Sequence, residues 1–172
     1  MKKVLTIIVG VALLLMVGSY AATLLFNDFL RENGVSQVQQ PEAPTPDGML
    51  ALINAERAKV GVPALTIDEN VQKSAQLKAT DFATRNYYQH NVLGTDNPYT
   101  PEMSRLLLER CSYVGENING DILSSAQAVD KWLASPPHKA AILDPKYSKT
   151  GFGVAQENDG DYFTVQHFCV AK

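Results

Sequence analysis

The chain has 172 residues, a formal net charge of −3 and two cysteines, and 45% of its residues are hydrophobic. Setting aside the three basic and two acidic residues before position 33 leaves −4 for the remainder, which argues against a nucleic-acid or anionic-lipid surface. No HExxH, GxSxG, P-loop or GxGxxG pattern is present, so these local signatures of metalloproteases, α/β-hydrolases and nucleotide binders are excluded.

Met1-Lys2-Lys3 precedes a non-ionisable, largely apolar stretch from Val4 to Asn27, long enough as a helix to cross a hydrocarbon core of about 30 Å. It reads as a membrane anchor or a signal peptide. Ser19-Tyr20-Ala21 offers a small-x-small cleavage site, but Thr23-Leu24-Leu25-Phe26 carries the apolar character past it, which favours an anchor. Lys2 and Lys3 on the near side put the N-terminus in the cytoplasm and the rest outside the cell membrane; cleavage would instead secrete the domain. Residues 28–46 contain a polar, Pro- and Gln-rich run with too little apolar surface to offset ordering entropy, and read as a tether. Residues 47–172 are the size of one domain.

Within that domain Asp47 is expected to cap a helix carrying Met49, Leu52 and Ile53, ended by Val62-Pro63. Asp68 caps a longer helix with Val71, Ala75, Ala79 and Phe82 on one face, and His90 falls just beyond its end. Thr100-Pro101 opens a third helix through Met103, Leu106 and Leu107. Gly115-Glu116-Asn117-Ile118 follows as a short loop or strand. Ser124-Ser125-Ala126-Gln127 matches a capping box for a helix that turns Val129, Trp132 and Leu133 inward. Ser135 then caps a short turn bearing His138, Ile142 and Leu143. Gly151–Ala155 and Tyr162–Phe168 read as strands joined through Asn158-Asp159-Gly160-Asp161, a hairpin signal. Helices first and antiparallel strands late make an α+β domain.

His90, Glu116 and His138 supply two imidazoles and a carboxylate, the donor set of a divalent-metal or proton-transfer site. They are 26 and 22 residues apart, so only tertiary folding brings them together. His167 alternates with Phe163, Val165 and Cys169 on one strand face and reads as structural or solvated. Asn117 reads as securing backbone. Cys111 and Cys169 lie in the part assigned to the oxidising side, where a disulfide persists; two buried free thiols are the alternative.

Leu52–Arg57, Tyr88-Gln89-His90, Gly115–Ile118, Ala128–His138, Ile142-Leu143 and Gly151–Val154, in this order, resemble the CAP superfamily of SCP or PR-1-like proteins (cysteine-rich secretory proteins, antigen 5 and plant pathogenesis-related proteins), most of all its bacterial branch. The resemblance implies an α-β-α sandwich with a central antiparallel sheet, and a cleft lined by a His, Glu, Glu, His tetrad. His90, Glu116 and His138 match three of its positions. The second family Glu lies three residues after a tryptophan; here Trp132 is followed by Ser135, a residue common there in bacterial relatives. In several members the histidines hold zinc or another divalent cation, so His90 and His138 become the expected metal ligands, with Glu116 orienting an imidazole or acting on a bound water.

Three function classes follow. The first is a membrane-tethered, extracytoplasmic module that binds a small ligand, divalent metal, lipid or envelope partner without turnover. The second is a metal-assisted hydrolase or peptidase with Glu116 as catalytic base. The third, a Ser135–His138–Glu116 acyl hydrolase, is weakened because Ser135 is explained as a helix cap and no nucleophile elbow surrounds it. The missing second carboxylate, and with it the missing third metal ligand, tilts the reading toward binding.

Overall fold

Within residues 42–172, four of the five helices begin where a side-chain oxygen meets the unpaired N–H groups of the first turn. In the computed structural model, which describes residues 29, 32, 42–157 and 160–172, the Thr45 hydroxyl accepts from the Gly48 N–H at 3.1 Å and opens α1, Pro46–Lys59. The cap is therefore Thr45 and not Asp47, because Pro46 at the first helical position needs no N–H partner and leaves Asp47 inside the first turn. Asp68 accepts from Asn70 and Val71 and opens α2, Glu69–Arg85. Thr100 accepts from Met103 and opens α3, Pro101–Arg110. Ser124 accepts from Gln127 and opens α4, Ser125–Ala134. The Gln127 side chain reaches back to the N–H of Leu123 at 2.6 Å, one residue earlier than a reciprocal capping box requires. The expected short turn is an eight-residue helix, α5, Pro136–Leu143, and Ser135 stands at its N-cap without a side-chain capping bond.

The chain divides into two units, residues 1–40 and 41–172. The expected anchor over residues 1–27 and most of the tether lie outside the described residues. Among the described residues no helix is long and apolar enough to cross a membrane.

Residues 41–172 carry one four-stranded sheet of β1, Thr66–Ile67, β2, Cys111–Ile122, β3, Lys149–Gln156, and β4, Tyr162–Ala171, in the order β1-β3-β4-β2. β4 pairs antiparallel with both β2 and β3, whereas the two residues of β1 pair parallel with β3. The sheet is thus mixed, not wholly antiparallel. The difference comes from Thr66-Ile67, which follow α1 and lie beside Lys149 and Thr150 before Asp68 starts α2. Gly115–Ile118 is not a short separate piece but the middle of the twelve-residue β2.

One sheet face buries Ile118, Phe163 and Val165 against Ala75, Ala79 and Phe82 of α2, and Cys169 with Cys111 against Val71 and Leu107 of α3. The other buries Ile122, Phe152 and Phe168 against Met49 and Ile53 of α1, Trp132 of α4 and Ile142 of α5. The result is an α-β-α sandwich. Cys111 and Cys169 are joined in a disulfide, with Cα atoms 5.3 Å apart.

Two features hold the layers in place. The fully buried Arg57 of α1 donates to the carbonyls of Pro63 (2.7 Å), Ile142 (2.6 Å), Asp144 (3.1 Å) and Tyr147 (3.0 Å), tying the end of α5 to the core. On the opposite face α2 lies directly on β3. A Cβ at Gly151 would come within 2.2 Å of the Gln72 backbone nitrogen, and one at Gly153 within 2.1 Å of the Ala75 carbonyl. That approach lets the Gln72 and Gln76 side chains accept from the N–H groups of Phe152 (2.8 Å) and Val154 (3.1 Å).

Candidate functional site: an imidazole–carboxylate chain at the outer strand

The first histidine is delivered by a loop that α2 itself anchors. Asn86, in the left-handed conformation at φ +51°, ends α2 and turns the chain away, a geometry that asparagine tolerates. Lys78 of α2, fully buried, donates from its ammonium to the carbonyls of His90 and Pro98 and so clasps both ends of the loop between. Burial lowers the Lys78 pKa; the charges of Glu116 and Asp81 act in the opposite sense.

Glu116 comes from β2, the outermost strand on its side of the sheet. Its neighbour Gly115 leaves room for the Tyr147 hydroxyl, which a Cβ would meet at 2.4 Å. The Glu116 side chain is only 5% exposed, and both oxygens are engaged: Oε1 with His90 Nδ1 at 2.7 Å, and Oε2 with His167 Nε2 at 3.0 Å. Burial alone would raise its pKa. Hydrogen bonds from His167 and His90, with the charges of His167 and Lys78, instead hold it below the usual carboxylate value.

An ionised carboxylate only accepts, so the proton positions follow from the network. His90 carries hydrogen on Nδ1, and its side chain is 56% exposed. His167 carries hydrogen on Nε2, and its Nδ1 is hydrogen-bonded with the Ser74 hydroxyl at 3.1 Å. Ser74 and His167 are both fully buried. Tyr99 closes over this end, its ring edge-on to His167 with centroids 5.3 Å apart.

His138 enters from the first turn of α5, where its backbone carbonyl accepts from Asn117 Nδ2 at 3.2 Å. Asn117 thus secures backbone, as expected of it. Burial and the neighbouring His90 charge lower the His138 pKa and favour the neutral imidazole. Ser135 is half-buried, and its hydroxyl bonds neither His138 nor Glu116 among the described residues. The geometry therefore brings His90 and Glu116 into contact, places His138 within electrostatic reach of His90, and leaves Ser135 apart.

Of the two readings of His167, structural or solvated, full burial removes the second: it is the direct cross-strand partner of Glu116 in the β2–β4 ladder and belongs to the chain Ser74–His167–Glu116–His90. The strand-face alternation was legible; the register was not. Counting along the two strands from the Cys111–Cys169 disulfide would set Glu116 opposite Thr164. A register shift between Cys111 and Tyr113 helps to move the true partner to His167. Lys78 and Ser74 carry no motif that would single them out.

The α-β-α sandwich, with a Gly-Glu-Asn segment of its outer strand facing two imidazoles, is that of a CAP module. The chain belongs to this family: the model of the cysteine-rich secretory protein (CAP) family matches residues 50–169. Among its relatives is the protein YkwD of Bacillus subtilis (strain 168), 31% identical over 118 residues, which are 69% of this chain and 44% of YkwD. The chain thus spans less than half the length of that relative. Two solved structures share the fold. An outer surface protein of Borrelia burgdorferi has a TM-score of 0.63 and 23% identity, covering 72% of this chain and 90% of that one. An extracellular protein of Bacillus anthracis containing an SCP domain has a TM-score of 0.62 and 22% identity, covering 72% of this chain and 39% of that one.

Proposed function

We propose that the protein is a membrane-tethered, extracytoplasmic binding module that takes a divalent cation such as zinc, or a small ligand coordinated in the same way, between His90 and His138, without turnover. The observation that carries this reading is the Glu116 bridge. By accepting from His90 Nδ1 it fixes the ring and leaves Nε2 as the nitrogen a metal would take, the arrangement by which a carboxylate prepares a metal-binding histidine. Burial, the larger cause, lowers the His138 pKa toward the neutral imidazole that a ligand must be. Two imidazole nitrogens would make an open site; among the described residues no group of three His, Cys, Asp or Glu residues is placed to hold a metal ion. A bound cation would there act as a Lewis acid toward an oxygen ligand.

The non-catalytic reading is supported by the engagement of Glu116, which is 5% exposed and has each carboxylate oxygen bonded to an imidazole, as a group that orients rings does. The location is supported by the apolar stretch from Val4 to Asn27 and by the extracellular and outer-surface descriptions of the two structural relatives. Lipid and envelope-protein partners remain further occupants of the same cleft. Zinc titration of the full chain in phospholipid nanodiscs, followed by calorimetry, tests the site. His90→Ala and His138→Ala are each expected to weaken zinc by more than about tenfold; unchanged affinity in both removes it.

A further inference from the structure

Further along β2 from Glu116, on the other side of Tyr88, the surface holds a groove of about 450 Å³ lined by Asn86, Tyr88, Gly120, Asp121, Lys131 and Phe163. Tyr88 is 52% exposed, yet it is held rigidly. Its hydroxyl donates to the Ile118 carbonyl at 2.9 Å, its ring stacks on Phe163 with planes 18° apart, and it meets Phe82 edge-on. With the hydroxyl proton used internally, what it offers solvent is aromatic surface.

Asp121 stands at the second register shift of β2, between Asn119 and Ile122, with φ +54°, a conformation seldom taken by residues other than glycine. Its backbone is fully engaged: the N–H donates to Glu157 Oε1 at 2.8 Å and the carbonyl accepts from Lys131 Nζ at 3.1 Å. Lys131 also donates to the Gly120 carbonyl at 3.2 Å. The ammonium is thus turned onto backbone, and the Asp121 carboxylate makes no hydrogen bond among the described residues. Its charge reaches the ring: after burial, it is the next cause that raises the Tyr88 hydroxyl pKa. Backbone held in the left-handed region at a non-glycine residue concentrates at functional sites, and here it carries a carboxylate open to solvent.

Two acids and one base, the base already committed, repel an anionic ligand. An extended peptide would need a row of main-chain partners, and the groove offers one ring with acceptors at its margin. We propose that this groove binds a neutral saccharide, with a pyranose C–H face against the Tyr88 ring and adjacent hydroxyls donating to the Asp121 carboxylate. An apolar face with a few placed polar groups is what fixes a ligand's orientation.

The test is saturation-transfer NMR on the full chain in phospholipid nanodiscs, titrated with maltotriose and, separately, triacetylchitotriose. Transfer to ring C–H protons of at least one sugar is expected, saturating at millimolar concentration, on the order of −4 kcal/mol. Asp121→Gly removes the carboxylate while glycine takes the positive φ freely; it is expected to weaken binding about tenfold or more. Tyr88→Ala should do the same and Tyr88→Phe should not. No transfer from either sugar overturns the proposal, as does an Asp121→Gly variant with native circular dichroism and unchanged sugar affinity. Zinc affinity should be untouched by Asp121→Gly, which keeps this groove separate from the imidazole cleft.

Discussion

Glu116 is a buried carboxylate kept ionised by two imidazoles, and that arrangement makes its contribution to stability depend on pH. Its folded-state pKa is depressed below the ordinary 4.5, so the stability it contributes is present above about pH 4.5 and is lost as pH falls through the folded value. His138 adds an earlier step. Its folded-state pKa is also depressed, from 6.5, so the unfolded chain takes up the proton first and stability declines as pH falls through about 6.5. Urea unfolding between pH 3 and pH 8 should show both declines. Glu116→Gln should flatten the lower one and cost about 1–3 kcal/mol at neutral pH, since an amide offers one acceptor where two donors converge. A variant with wild-type stability at pH 7 would contradict this. Arg57 shows the same economy without a carboxylate partner, its guanidinium spread over four carbonyls.

Among the elements, the contact of α2 with β3 is the tightest and depends on two period matches. Gln72 and Gln76 are four residues apart on a helix, a rise of about 6 Å, while Phe152 and Val154 are two apart on a strand, about 6.6 Å. The helix glutamines can therefore meet successive outward N–H groups of β3 beyond the short β1. Gly153→Ala, whose Cβ would meet the Ala75 carbonyl at 2.1 Å, is expected to cost at least about 3 kcal/mol by forcing backbone apart. Thermal melts decide it; a shift under a few degrees would show that α2 yields. The helices and β4 were legible because their signals are local: Asp68, Thr100 and Ser124 cap where their side chains suit a cap, and β4 alternates faces as its residues do. Thr45 was passed over for Asp47 because both are capping types and only the position of Pro46 discriminates. The pairing of Glu116 with His167, the Lys78 clasp and the Tyr88–Asp121 groove depend on register and packing between segments dozens of residues apart, which no local pattern encodes.

For the molecule as a whole, the Cys111–Cys169 disulfide joins the end of α3 to the last strand across 58 residues. Chain-entropy reasoning gives it about 4 kcal/mol. The Cys111→Ala/Cys169→Ala double variant should lose stability of that order in denaturant unfolding while keeping the fold, because both sites are buried and accept a small apolar residue. An unchanged midpoint would mean that the loop is already restricted in the unfolded chain.

The strand order β1-β3-β4-β2 has a consequence for synthesis. β4, the central partner of both β2 and β3, follows the other three strands in the chain, so β2 has no strand neighbour and Glu116 no cross-strand imidazole until residues 162–171 have emerged. The domain cannot assemble vectorially from its N-terminus as helices do. A ribosome making this chain therefore holds an unclosed domain until β4 has emerged, and the sheet closes in one late step.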